Sequence, residues 1–132
     1  MVHIKNLRDN KTIPLDIPKG YYVLVEMTTM AGYRISVAIR DADTKQEYFR
    51  DSRQGLDPIP PISKFYRCDS EQSELYIDIP QSRQIDFRMD SMDIENEKGT
   101  LLIRTVTAIG EDADDADYND FIINLSIMKS KV

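Results

Sequence analysis

Tryptophan is absent from this chain of 132 residues, and cysteine and histidine occur once each, as Cys68 and His3. A single cysteine cannot close an internal disulfide, so a reducing compartment is the natural expectation. One thiol and one imidazole, far apart in sequence, serve a transition metal poorly and provide no nucleophile–base pair. Cys68 reads as a small hydrophobe and His3 as an exposed residue near a terminus. Five glycines leave little scope for a loop that cradles phosphate. No apolar run approaches the roughly 20 residues that span a bilayer, which argues against membrane insertion. The first twenty residues break every few positions with charge or proline, unlike a secretory signal. The expected location is therefore cytoplasmic, with export by a signal-peptide-independent route left open. Basic charge is also in deficit: the net charge is -6 and the pI near 4.7. That argues against nucleic acid held through its phosphates.

What is present is an ordinary globular composition, 41% hydrophobic and 30% charged, on a length suited to one domain and one core over residues 1–132. The charge is not evenly spread. Glu111, Asp112, Asp114, Asp115, Asp117 and Asp120 fall within ten residues that contain no lysine or arginine. Removing those six from the 23 acids leaves 17, which the 17 lysines and arginines balance. The whole net charge therefore sits in one segment near the C-terminus.

The rest of the chain alternates with period two. Ile35, Val37 and Ile39 alternate with Ser36 and Arg40; Leu75, Ile77 and Ile79 with Tyr76 and Asp78; Ile85, Phe87 and Met89 with Asp86 and Arg88. Residues 21–27, 101–109 and 121–128 give further strands, and residues 13–17, 47–51 and 62–68 weaker ones. A break at Thr28–Gly32 separates the strand at 21–27 from the one at 33–40. No stretch of twelve or more residues carries a helical period. The pattern predicts an all-β fold, an antiparallel β-sandwich of eight or nine short strands, with the acidic segment as a loop before the last strand.

Six neighbouring carboxylates repel one another, and three readings of them are open: a solvated acidic loop, a site for a hard cation, or a catalytic carboxylate pair. Calcium takes 6–8 oxygen ligands, and Asp115, Asp117, Asn119 and Asp120, with Glu111 close behind, offer carboxylates and an amide oxygen at short spacing. An EF-hand does not fit, because its sixth position from Asp115 is Asp120 and its twelfth Ser126, where glycine and glutamate are required. Nothing elsewhere supports catalysis, and no catalytic residue is assigned.

The run Gly110-Glu111-Asp112-Ala113-Asp114-Asp115-Ala116-Asp117-Tyr118-Asn119-Asp120, followed by the apolar Phe121–Leu125, resembles the C-terminal signature of the bacterial calcium-mediated lectins of the fucose-binding lectin II type. The resemblance implies a β-sandwich, no enzymatic activity and a carbohydrate ligand bridged to the protein through calcium, one or two ions. Carried over by position, Glu111, Asp115, Asp117 and Asp120 hold one ion, and Asp117, Asn119 and Asp120 the other. Asp112 accepts a hydrogen bond from a sugar of the fucose or mannose kind, and Tyr118 packs. The family also uses an asparagine from an early loop; the matching segment here, Met27–Gly32, has none, and Thr28 and Thr29 are the candidates to replace it at the sugar. Family members end on a glycine whose carboxylate reaches a partner subunit, whereas this chain ends on Val132. Homo-dimers or homo-tetramers are the family expectation. The alternative is a calcium-stabilised β-sandwich for assembly or protein interaction without sugar.

Overall fold

A computed structural model describes residues 1–55, 60–82, 84–111 and 120–129. Among them ten strands form two antiparallel sheets, with one short 3-10 turn at Leu7–Asp9 and no α-helix. The strands are β1 (Val2–Ile4), β2 (Thr12–Leu15), β3 (Tyr22–Thr29), β4 (Ala31–Asp41), β5 (Glu47–Gly55), β6 (Ile62–Arg67), β7 (Ser73–Asp78), β8 (Asp86–Glu95), β9 (Leu101–Glu111) and β10 (Phe121–Met128). The six-stranded sheet runs β1-β8-β9-β10-β3-β6 and the four-stranded sheet β2-β7-β4-β5. Among the described residues no helix is long and apolar enough to cross a membrane.

The alternation read from the sequence becomes the core. Val23, Val25 and Met27 of β3 and Phe121, Ile123, Leu125 and Ile127 of β10 bury against Ile35, Val37 and Ile39 of β4 and Leu75 and Ile77 of β7. Each fully buried side chain of this size contributes roughly 1.5–3 kcal/mol through water exclusion. Cys68 is buried, as a small hydrophobe would be. The β4–β5 turn is set by Asp41, whose Oδ1 accepts the N–H groups of Asp43 and Thr44, each at 2.8 Å. Lys45 closes that turn with φ of 63°, and its N–H bonds back to the Asp41 carbonyl at 3.0 Å.

Two expectations are corrected. Ten strands replace eight or nine, because Val2–Ile4 pairs with β8 as an edge strand. The expected break at Thr28–Gly32 shrinks to the single residue Met30. β3 continues through Thr29 because Phe121 and Ile122 of β10 pair with Thr29 and Thr28. The glycine at position 32 lies inside β4 and ends nothing.

Candidate functional site

The acidic segment lies in sequence between the end of β9 and the start of β10. Its two outer members, Glu111 and Asp120, are described, and both are buried, at 2% and 7% exposure. Both take part in polar interactions, as side chains of this charge so covered do. The backbone of Asp120 is clipped on both sides: its N–H donates to the Gly110 carbonyl (3.2 Å) and its carbonyl accepts the Met30 N–H (3.0 Å). The ends of β9 and β10 and the β3–β4 junction are therefore drawn together around one residue.

Strand alternation decides which side chains can share a site. Glu111 follows Thr107 and Ile109 on the outer face of the six-stranded sheet. The register places Arg88, Ile109, Ile122 and Thr28 in one cross-strand row on that face, one step inside Glu111. Thr29 belongs to the inner row with Phe121, Gly110 and Phe87. It is 1% exposed, and its Oγ1 has no hydrogen-bond partner among the described residues. Of the two threonines expected at the sugar, the fold thus brings Thr28 to the face of Glu111 and buries Thr29 in the sandwich. Met27 packs in the core.

Asp86 is a neighbour that sequence reasoning missed. It stands directly opposite Glu111 across the β8–β9 ladder, and its Oδ1 lies 2.8 Å from His3 Nε2 on β1. His3 is thus a partner of this acidic edge and not merely a residue near a terminus. The link spans 83 positions of sequence, and no local spacing could have signalled it.

Asp112, Asp115, Asp117 and Asn119 lie outside the described residues. Among the described residues no three acids, histidines or thiols gather into a metal-binding group. Glu111 and Asp120 nevertheless fit calcium by type: both are hard oxygen donors, buried at adjacent strand ends. Two clefts, of about 240 and 480 Å3, open beside Pro14–Asp16, and neither is lined by Glu111, Asp120 or Thr28.

The fold and this end of it define a class first: an all-β sandwich with a carboxylate-rich segment of sequence between its last two strands. The model of the family Fucose-binding lectin II (PA-IIL) matches residues 15–129, and the chain belongs to that family, whose members are carbohydrate-binding, non-enzymatic lectins. Solved structures share the fold. The C-terminal domain of the BC2L-C lectin from Burkholderia cenocepacia matches with a TM-score of 0.65 and 17% identity, over 95% of this chain and 97% of that one. The Ralstonia solanacearum high-affinity mannose-binding lectin matches at 0.62 and 14%, over 89% and 95%. The Chromobacterium violaceum lectin CV2L, solved with alpha-methyl-fucoside, matches at 0.58 and 17%, over 88% and 94%. No curated protein matches the chain.

Proposed function

We propose that this lectin is calcium-dependent, with Glu111, Asp115, Asp117, Asn119 and Asp120 as the metal ligands and Asp112 and Thr28 beside the sugar. The carrying observation is the burial of Glu111 and Asp120 at adjacent strand ends, flanking the segment that holds every other proposed donor. Calcium bound there would offer coordination positions to neighbouring hydroxyls of a monosaccharide. The protein's own residues do the rest. Asp120 is held by two backbone hydrogen bonds, Glu111 stands on the last position of β9, and Thr28 presents a hydroxyl on the same face. The sugar class is fucose- or mannose-like: the family is named for fucose, and the relatives above include a mannose binder and a fucoside complex. Retention on immobilised mannose and fucose columns tests the reading. Retention in calcium, release by chelator and loss in Asp117→Ala are expected; retention in chelator would refute calcium dependence.

The proposed partner of the outer face is a second copy of this chain. Phe65, Met92 and Ile94 stand exposed on that sheet, at 56%, 63% and 51%, with Phe65 stacked on Tyr22 at 5.3 Å. Phe65 on β6 and Met92 and Ile94 on β8 are separated by three strands, and exposed large apolar residues spread over one sheet face support self-association.

A further inference from the structure

Gly110 and Phe121 are directly paired, β9 to β10, one residue inside the two buried carboxylates. A methyl group on Gly110 would overlap the edge of the Phe121 ring, meeting Cζ, Cε1 and Cε2, the last at 2.8 Å. The ring thus occupies the space a side chain would need and extends toward Phe87, with centroids 6.3 Å apart. The Gly110 carbonyl accepts the Asp120 N–H, so the residue that admits the ring also anchors the far end of the loop.

We propose that Gly110 is a positioning residue for the calcium site, acting through the Phe121 ring that fills its missing side chain; the proposal rests on the calcium reading above. Any Cβ at position 110 displaces the ring and, with it, the backbone that carries Asp120. Residues that orient metal ligands without touching the ion commonly change metal affinity by about 10–100-fold when replaced.

The test is calcium titration by calorimetry on the full chain, as wild type, Gly110→Ala, Phe121→Leu and Gly110→Ala/Phe121→Leu, with melting of each variant in chelator. Leucine lacks the Cζ and Cε atoms that clash. Gly110→Ala is expected to bind calcium about 10–100-fold more weakly even where it is fully folded. The double variant is expected to recover affinity close to that of Phe121→Leu. A purely structural role would lower melting in chelator and leave the affinity of the folded chain unchanged, and that result overturns the proposal. So does a double variant that recovers nothing. Should Gly110→Ala not fold, the double variant is compared with Phe121→Leu alone: equal calcium affinity is expected, and affinity about 10–100-fold weaker in the double variant overturns the proposal. Wild-type protein that takes up no calcium would instead sink the calcium reading itself, which separates the two failures.

Discussion

Glu111 faces Asp86 squarely across the β8–β9 ladder, two carboxylates in cross-strand register at the end of β9. Like charges so placed oppose folding, and a bound cation offsets them. Asp86→Asn is therefore expected to weaken calcium binding by about 1.4- to fivefold, the scale of a cross-strand charge pair worth roughly 0.2–1 kcal/mol. The effect should shrink as salt rises. Calorimetry at low and high ionic strength checks it, and unchanged affinity at low salt would remove Asp86 from the site's electrostatics.

Thr28 and Thr29 separate by face. Thr29 Oγ1 is buried without a hydrogen-bond partner among the described residues, and such a group costs about 1–3 kcal/mol. Thr29→Val should raise the melting temperature and leave sugar binding intact. Thr28→Val should weaken sugar binding. Melting and sugar titration of the two variants decide it; the reverse pattern would show that Thr29 turns toward the ligand.

Acid stability has identifiable sources. Hydrogen bonds from the Ser70 side chain and from the Thr44 and Asp43 N–H groups lower Asp41 to about 2 from its usual 3.8. At Glu74 burial pushes the carboxyl up, but hydrogen bonds from Lys45 and Arg40 outweigh it and hold the group below 4.5. Both folded-state values lie beneath the unfolded ones. The stabilisation is therefore complete above the unfolded values and is lost as pH falls through the folded ones. The melting temperature should drop steeply between about pH 4 and pH 2. Asp41→Asn should flatten that drop while lowering stability near neutrality, and an identical acid profile in the variant would contradict this account.

Self-association should depend on the outer face. Ile94→Glu, at a position 51% exposed, is expected to reduce the sedimentation mass without lowering the melting temperature of the single chain. A mass unchanged by the substitution would place the contact elsewhere.

Much of this was legible in the residues because it is local. Phe121–Met128 alternates so cleanly that its strand is read with the right ends. The rest required the sheet. β3 runs on to Thr29 only because β10 pairs with it, and the three-residue β1 is too short for any period to show. The two threonines are equivalent as sequence and opposite as structure. Asp86 reaches Glu111 through register, and Gly110 matters because an aromatic ring from the next strand lies on it.

The most direct measurement is calcium titration of the wild-type chain by calorimetry, followed by fucose and mannose titrations in calcium and in chelator, with Glu111→Gln as the control. The account predicts one or two ions per chain, sugar heat only when calcium is present, and loss of both in Glu111→Gln. A chain that binds no calcium, or binds sugar equally well in chelator, would contradict it.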